Sequence, residues 1–294
     1  MDGNRVHVTV LIPVYNRELY IGDAIDSVIE QDHSDWDILI VDDGSIDRTV
    51  EVIKSRIFDD QIQLIQMKHE GCAAALAMGI EYARGPVITY LGSDDRLLRD
   101  SLSTVMPAFD KNPHLGYVWT NYVDSTGVKG LTDFLPGKKT LLEAMISGWW
   151  AGWCEQFFRK SFYLQSKGLD TSIRCSADTQ LALLLGQTGC DTLHIPKVTY
   201  WHRIHPHRIS VEHYAEQMEA YHLLRRRFRS ENMELTEQYI IELEQIREQF
   251  NELKNCAEQI KQFENSYAIR LARRIPFGFQ IRKLLLSKRS HETS

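Results

Sequence analysis

Short apolar segments alternate with amphipathic segments through the first half of the chain, and this alternation restricts the fold more than any other feature. Residues 6–14 are β-branched and almost continuously apolar, which is typical of a strand covered on both faces. Residues 20–31 follow with apolar side chains at helical spacing. The same two patterns recur, with strand-like segments at 36–41, 61–66 and 87–91 and helical segments at 48–58 and 71–83. Strand–helix units of roughly thirty residues predict an α/β fold, with a mostly parallel sheet flanked by helices.

The overall composition narrows the class of protein. A net charge of −6 argues against a nucleic-acid binder, and 43% hydrophobic residues are ordinary for a globular chain. The five cysteines show no C-x-x-C spacing, which favours a reducing compartment over a disulfide framework. The N-terminus lacks the pattern of a signal peptide, and no apolar run reaches the ~20 residues of a membrane-spanning helix. We therefore expect a cytoplasmic protein.

Aromatic and acidic residues follow the first two predicted strands. Pro13 and Tyr15 end the first strand, and Asp43 follows the second. Ligands of open α/β sheets lie beyond the carboxyl ends of the strands. Neither G-x-G-x-x-G after the first strand nor G-x-x-x-x-G-K-[ST] is present, which excludes the usual dinucleotide and P-loop sites. A tyrosine ring and an acidic acceptor would suit a nucleobase with an imide N–H, and the alternative is a pair of ordinary turns.

Two adjacent carboxylates, Asp94 and Asp95, follow the fourth predicted strand after Gly92 and Ser93. Carboxylate oxygens at a strand end are suited to a hard divalent cation. The alternative is a turn with a helix cap, because aspartate suits both roles. Three polar turns at the ends of strands of one sheet favour a binding site over three unrelated turns.

Together these motifs resemble a known family. The runs I-P-V-Y-N-R (12–17), V-D-D-G-S (41–45), P-V-I-T-Y-L (86–91) and S-D-D (93–95) are similar to those of family 2 glycosyltransferases of the GT-A fold, over about residues 6–210. The resemblance implies a nucleotide-sugar donor, usually a UDP-sugar, a divalent cation (Mn²⁺ or Mg²⁺) and inversion at the anomeric carbon. It also implies site residues. The donor would be bound by Pro13, Tyr15, Asn16, Arg17, Asp43, Gly71, Asp95 and Arg203, and the metal by Asp94 and His205.

The chain departs from the family pattern at several positions. Gly92 stands where the family has the first aspartate of its D-x-D metal motif, and Asp94 is the last carboxylate of that motif. A single strand-end carboxylate is still able to hold a cation together with diphosphate and water oxygens, with weaker affinity. His69, Leu76 and Ala77 replace an asparagine and an Arg-Asn pair, so fewer polar groups would face the donor.

We expect acceptor contacts in the second half of the catalytic domain, residues 123–212. Three tryptophans, Trp149, Trp150 and Trp153, lie among glycines, and indole faces pack well on pyranose rings. With Glu155 they form the predicted acceptor site. The alternative is a cluster in the core or at an interface.

Asp178 is the predicted catalytic base. It falls on the second position of the family's acidic pair, whose first position holds Ala177 here. An inverting transfer needs a base that deprotonates the acceptor hydroxyl, and a nearby carboxylate is suited to this. The alternative is that Asp178 only stabilises the N-terminus of a helix.

Residues 200–210 resemble the closing segment of the family. Arg203 and His205 are placed there to meet the diphosphate or the metal, because the charge of the leaving group must be stabilised. The neighbouring His202 and His207 could suggest zinc, but no second ligand pair at a structural-zinc spacing accompanies them.

The C-terminal part has a different composition. Residues 213–266 are predicted to form a long helical extension, with a heptad repeat of apolar residues at Tyr239, Leu243, Ile246, Phe250, Leu253, Ala257 and Ile260. This repeat favours either a homo-oligomeric coiled coil over 236–263 or a helix packed on the catalytic domain. Residues 267–294 form a basic amphipathic tail, which indicates an anchor on an anionic membrane surface, and the alternative is a solvated basic tail.

These predictions combine into one functional hypothesis. Residues 1–212 would form a GT-A catalytic domain, with the donor half at about 1–122. It would be an inverting, metal-dependent glycosyltransferase that acts on a glycan or lipid-linked acceptor at the inner face of the plasma membrane, in cell-envelope polysaccharide synthesis. The alternatives are a non-catalytic subunit that binds sugar nucleotides and a sugar nucleotidyltransferase.

Overall fold

The computed structural model describes residues 6–130 and 156–274. The chain divides into two compact units, Met1–Leu235 and Thr236–Ser294. The first unit contains a mixed sheet with helices, and the second contains most of one long helix. The predicted boundary at residue 212 stays a prediction, and the helix that follows it lies in the first unit.

The first half of the sheet is parallel. Strands β1 (Val8–Val14), β2 (Trp36–Asp42), β3 (Ile62–Gln66) and β4 (Val87–Tyr90) are arranged in the order β3-β2-β1-β4. The connections are α1 (Ile21–Ile29), α2 (Thr49–Lys54) and α3 (Cys72–Tyr82). Helix α2 is shorter than the predicted 48–58, because it ends at the turn around Ser55. The predicted strand–helix alternation and α/β fold are confirmed.

The second half of the sheet introduces antiparallel pairs. It contains β5 (Arg96–Leu97), β6 (Leu115–Asp124), β7 (Lys129–Gly130), β8 (Gln156–Arg159) and β9 (Asp191–His202). Strand β8 is antiparallel to both β4 and β6, whereas β9 is parallel to β6 and antiparallel to β5. The carboxyl end of β9 therefore lies beside β5, the short strand that directly follows Asp94 and Asp95 in the sequence.

The remaining helices surround this sheet or follow it in the sequence. They are α4 (Ser101–Lys111), α5 (Lys160–Tyr163), α6 (Ala177–Gln187), α7 (Ile209–Glu212), α8 (Tyr214–Glu231) and α9 (Met233–Arg274). Helix α8 buries Ala220, Leu224 and Phe228. No helix within residues 6–130 and 156–274 combines the length and the apolar character that crossing a membrane requires.

Strand β1 lies at the centre of the core, and all of its residues are buried. Ile12 belongs to the same apolar cluster as Ile25 of α1 and Ile40 of β2. Leu11 points to the other face, where a Cβ at Gly79 of α3 would overlap its side chain. This close approach explains a glycine in the middle of α3. Each fully buried aliphatic side chain contributes about 1.5–3 kcal/mol to stability, so β1 provides a rigid support for the loops at its carboxyl end.

Helix α9 spans 42 residues, or about 63 Å at 1.5 Å per residue. Ile240, Ile241, Leu253 and Ile260 are exposed on it. Much of the predicted heptad seam, including Leu243 and Phe250, has side chains outside the described part. The coiled coil therefore stays a prediction, and the basic residues of the tail after residue 274 lie outside the described residues.

Candidate functional site

The loops after β1 and β2 are joined by Asn16. Its side-chain oxygen accepts a hydrogen bond from the Ile46 backbone at 2.9 Å, and its backbone N–H donates to Ser45 Oγ at 2.9 Å. Asn16 has a positive φ of 49°, a conformation in which asparagine is one of the favoured residues. Pro13 is buried inside β1, opposite Val41 of β2. Both residues were predicted to bind the donor. The structure places Asn16 in the contact between the two loops and Pro13 in the buried strand that precedes the first loop.

Arg17 connects the first loop to the segment after β9. Its guanidinium donates to the carbonyls of Asn16 at 3.0 Å and His207 at 3.1 Å. Its Nε lies 3.6 Å from Asp94 Oδ2. The backbone N–H of Arg17 also donates to Thr49 Oγ1 at 2.7 Å. The arginine is thus a largely buried cation held in place beside Asp94.

Asp94 and His205 are far apart in sequence and adjacent in the structure. His205 Nε2 lies 3.0 Å from Asp94 Oδ2, and the two side chains are only 7% and 18% exposed. His205 Nδ1 is buried and has no hydrogen-bond partner among the described residues. The imidazole also packs against the ring of Tyr20, with centroids 4.5 Å apart. One carboxylate oxygen and one imidazole nitrogen therefore converge beside a fixed arginine.

The Asp94 carboxylate and the His205 imidazole are suited to be two of the ligands of a divalent cation. Carboxylate oxygen suits Mg²⁺ and Mn²⁺, and imidazole nitrogen is a common ligand of transition metals. The residues that the structure describes contain no group of three or more histidine, cysteine or acidic side chains arranged to hold a metal by themselves. A cation bound by Asp94 and His205 would thus need further oxygens from a ligand or from water.

Asp95 points in the opposite direction from Asp94, into the protein. It is 4% exposed, and its oxygens accept hydrogen bonds from the Tyr200 hydroxyl at 2.8 Å and the Arg203 backbone at 2.9 Å. His202 Nδ1 lies 3.0 Å from the same carboxylate. The structure places Asp95 where it fixes the end of β9, and the predicted contact of Asp95 with the donor stays a prediction.

The buried network around Asp95 leaves little space for a side chain at Gly92. Its N–H donates to the Tyr200 hydroxyl at 3.1 Å, and a Cβ built at this position would lie 2.7 Å from Asp95 Oδ2. Real Cβ atoms essentially never approach so closely. A side chain at residue 92, such as the first aspartate of the D-x-D motif, would therefore force the Asp95 carboxylate to shift from its contact with Tyr200, which is a steric explanation for the glycine.

Arg203 links the network to the surface. Its Nε donates to the Asp94 carbonyl at 2.9 Å, and its Nη2 donates to Asp23 Oδ2 at 2.7 Å. The guanidinium also lies over the rings of Tyr20 and Trp201, at 5.2 and 4.8 Å from their centroids. We refer to Arg17, Asp94, Arg203 and His205 as the strand-end cluster.

Tyr15 and Asp43 are brought together as the sequence suggested, but His69 lies between them. The rings of Tyr15 and His69 are stacked, with centroids 4.1 Å apart and an interplanar angle of 23°. His69 Nδ1 lies 2.9 Å from Asp43 Oδ2. Asp43 is 3% exposed and also accepts hydrogen bonds from the Glu70 and Gly71 N–H groups, at 2.8 and 2.9 Å.

Asp178 is the second residue of α6 and is half-buried. Burial raises the pKa of its carboxyl to about 6. Its Oδ1 accepts the N–H of the neighbouring Thr179 at 2.7 Å. Burial, with a smaller effect of the Asp178 charge, raises the pKa of the Cys72 thiol to about 12. The effect on Cys72, the first residue of α3, shows that Asp178 lies near it. The raised pKa of the Asp178 carboxyl makes this residue a stronger base than an ordinary aspartate.

Several site features were predicted only in part. Trp149, Trp150, Trp153 and Glu155 lie outside the described residues. Tyr20, Asp23 and Tyr200 contact the site residues and were missed, because a single aromatic or acidic residue near a helix start or inside a strand has no distinctive spacing. His69 was noted only as a departure from the family pattern, although its position two residues before Gly71 could have indicated a contact with Asp43.

Comparisons with known proteins identify the family to which the chain belongs. The model of the family "Glycosyl transferase family 2" matches residues 9–165. An uncharacterized glycosyltransferase of Rickettsia felis is 40% identical over 105 residues, which cover 36% of this chain and 17% of that protein. A chondroitin synthase of Escherichia coli is 27% identical over 213 residues, covering 70% of this chain and 30% of that one. The chain thus spans less than a third of the length of these two relatives.

Solved structures show the same fold. The S. aureus TarS 1-349 complex with UDP has a TM-score of 0.59 at 18% identity, covering 73% of this chain and 64% of that chain. The mannosyltransferase PcManGT from Pyrobaculum calidifontis, in complex with GDP-Man and Mn²⁺, has a TM-score of 0.53 at 23% identity, covering 68% and 57%. With the family model covering more than half of the sequence, the chain belongs to glycosyl transferase family 2 and has the GT-A fold.

Proposed function

We propose that this chain is an inverting glycosyltransferase that uses a nucleoside-diphosphate sugar, most simply a UDP-sugar, and a divalent cation. The observation that carries the proposal is the strand-end cluster, in which Asp94 and His205 converge within 3.0 Å beside Arg17. The cluster lies at the carboxyl ends of the strands, and ligands of open α/β sheets bind beyond these ends. A cation bound there would neutralise charge on the departing diphosphate.

The residues of the cluster have distinct roles in this proposal. Asp94 and His205 hold the cation, and Arg17 adds a fixed positive charge near the diphosphate. Arg203 orients Asp94 by its hydrogen bond to the Asp94 carbonyl. Preorganised charges of this kind stabilise a leaving group without reorganising during the reaction. Asp95 and Gly92 contribute indirectly, because they fix the end of β9 from which Arg203 and His205 extend.

Asp178 is the proposed base. The acceptor hydroxyl gives its proton to the Asp178 carboxylate while its oxygen forms a bond to the anomeric carbon. The bond between that carbon and the diphosphate oxygen breaks in the same displacement, on the opposite face, so the anomeric configuration inverts. A carboxyl with a pKa of about 6 is mostly ionised at neutral pH and still basic enough to take the proton.

The acceptor is proposed to be a growing glycan or a lipid-linked sugar. Named relatives include the chondroitin synthase and a putative teichuronic acid biosynthesis glycosyltransferase, TuaG, of Bacillus subtilis. Trp149, Trp150, Trp153 and Glu155 remain the proposed acceptor contacts. Membrane association through residues 267–294, at the inner face of the plasma membrane, and self-association through residues 236–263 remain proposals based on the sequence.

The test is a donor panel with the purified full chain. UDP- and GDP-sugars are incubated with Mn²⁺ or Mg²⁺ and an acceptor mixture, and release of nucleoside diphosphate is measured. We expect release with one nucleotide class, and loss of that release on addition of EDTA. Binding of a donor without turnover in any mixture would instead indicate a non-catalytic subunit. Formation of a sugar nucleotide from a sugar phosphate and a nucleoside triphosphate would indicate a nucleotidyltransferase.

A further inference from the structure

His69 makes the two contacts that a bound nucleobase would make. It is a planar heteroaromatic ring stacked on Tyr15, with centroids 4.1 Å apart. Its Nδ1 lies 2.9 Å from Asp43 Oδ2 and is hydrogen-bonded to the Asp43 carbonyl oxygen at 3.2 Å. Because both oxygens of Asp43 only accept hydrogen bonds, the imidazole must carry a proton on Nδ1. A flat ring with an N–H group directed at Asp43 is the geometry expected of a base with an imide-type N–H.

The spacing leaves no room for a base between these two rings. Stacked atoms approach to about 3.5–4.0 Å, so a base held between two rings would need them roughly 7–8 Å apart. The observed 4.1 Å is the separation of a direct stack. A base that stacks on this face of Tyr15 must therefore replace His69.

His69 and a bound base would also compete for Asp43. This buried carboxylate already accepts the N–H groups of Glu70 and Gly71, which fix the start of α3. The imidazole is the remaining contact of Oδ2 and belongs to a side chain that is 47% exposed. His69 is therefore the part of this arrangement that is able to leave by side-chain rotation, whereas the backbone donors stay.

We propose that His69 is an intramolecular occupant of the nucleobase subsite, and that the donor's base displaces it from Tyr15 and Asp43. This inference rests on the proposed function. It also specifies the base, because Asp43 requires a ring N–H at the edge of the base. Uracil N3–H and guanine N1–H provide one, whereas cytosine N3 and adenine N1 present a lone pair there.

The first experiment is calorimetric titration of the full chain with UDP, with and without Mn²⁺. Apparent affinity is reduced by the fraction of sites that are closed, so His69→Ala should bind UDP more tightly, by about tenfold if the contacts of His69 amount to roughly 1.4 kcal/mol. His69→Phe keeps a ring on Tyr15 and loses the N–H, so its gain should be smaller. Gln66→Ala, at the exposed end of β3, is the matched control and should match the wild type.

A second experiment needs no substitution. In NMR spectra of the wild-type chain, the His69 ring protons should be shielded by Tyr15 and should move toward the position of an exposed histidine when UDP is added. CDP, which differs from UDP only in the base edge, should bind more weakly and displace His69 less. Thermal melts of the variants show that each one is folded before its affinity is compared.

The outcomes separate the two proposals. If the wild type binds UDP and His69→Ala binds it no more tightly, or the His69 resonances do not move, this inference is wrong and the proposed function stands. CDP binding as tight as that of UDP would overturn the role of Asp43. If neither the wild type nor the variant binds any nucleotide, the proposed function fails, and the subsite with it.

Discussion

The strand-end cluster and the start of α6 each contain an aspartate with a proposed role in the reaction, Asp94 and Asp178, but the surroundings of the two differ. Asp94 has an imidazole at 3.0 Å and a guanidinium at 3.6 Å. Asp178 accepts a hydrogen bond from the N–H of its neighbour Thr179 at 2.7 Å, and burial raises the pKa of its carboxyl to about 6. The Arg17 guanidinium and the His205 ring hold the Asp94 carboxylate in place, whereas burial around Asp178 disfavours the charged form of its carboxyl and raises its pKa. The comparison indicates that Asp94 is suited to hold a ligand in a fixed geometry, whereas Asp178 is suited to accept a proton.

The largest effect is expected from Asp178→Asn. Removing the base should lower turnover by about 10²–10⁴-fold, the usual contribution of general-base catalysis. UDP affinity should not change, because the proposed donor contacts are Tyr15, Asp43 and the strand-end cluster. Steady-state kinetics and UDP titration of the variant check this. Near-normal turnover would assign the base elsewhere, with Glu155 the next candidate.

Asp94→Asn is expected to weaken cation-dependent binding of UDP by roughly a hundredfold, because a neutral amide replaces the carboxylate ligand of the cation. Titration of UDP in the presence of Mn²⁺ measures the change, and titration in EDTA is the control. The affinity in EDTA should change much less. Equal affinity of the variant and the wild type in Mn²⁺ would remove Asp94 from the metal site.

Gly92→Asp, which restores the family's first D-x-D aspartate, should harm this protein. The new Cβ would meet Asp95 Oδ2, and overpacking of this kind costs about 1–3 kcal/mol of stability. Gly92→Ala carries the same Cβ without a charge and should lose a similar amount. Thermal melts and Mn²⁺ titrations of both variants measure the effect. Tighter Mn²⁺ binding at unchanged stability in Gly92→Asp would contradict the steric explanation.

The smallest effect concerns stability and has a definite sign. The pKa of Asp178 rises from 3.8 to about 6 on folding, so the folded state holds this proton more tightly than the unfolded state. Stability therefore falls as the pH rises through that window, and the loss is complete above it. Asp178→Asn, which has no charge, should be more stable than the wild type at pH 7.5 by about 1–2 kcal/mol, allowing for partial exposure.

Melting temperatures at pH 7.5 and pH 4 test this, because the difference should nearly vanish at pH 4. A variant that is less stable than the wild type at pH 7.5 would show that the Asp178 charge stabilises the N-terminus of α6. That result would favour the helix-cap alternative.

The fold was more predictable than the directions of the site side chains. Continuous apolar strands such as β1 and the helical spacing of α1 are local patterns, and they predicted the parallel half of the sheet. The antiparallel β8 was not predicted, because its pairing with β4 and β6 depends on contacts between distant parts of the chain. The catalytic-domain motifs predicted which loops lie at the strand ends.

The opposite orientations of Asp94 and Asp95 could not be predicted. The two aspartates are adjacent in one turn, and contacts with the end of β9 (Tyr200, His202 and the Arg203 backbone) determine which one is buried. The same holds for His69, since its stack on Tyr15 depends on the path of the loop between β3 and α3. The preference for glycine at residue 92 likewise follows from the buried Asp95 carboxylate and not from a local turn.

The most direct test of the contrast between the two aspartates is the pH dependence of kcat/KM for sugar transfer, which reports ionisations of the free enzyme. The account predicts that kcat/KM rises with pH through a value of about 6, as the Asp178 carboxyl loses its proton, and that Asp178→Asn loses this rise along with most of its activity. A wild-type profile that is flat across this region, or a variant that keeps the same rise, would contradict the assignment of Asp178 as the base.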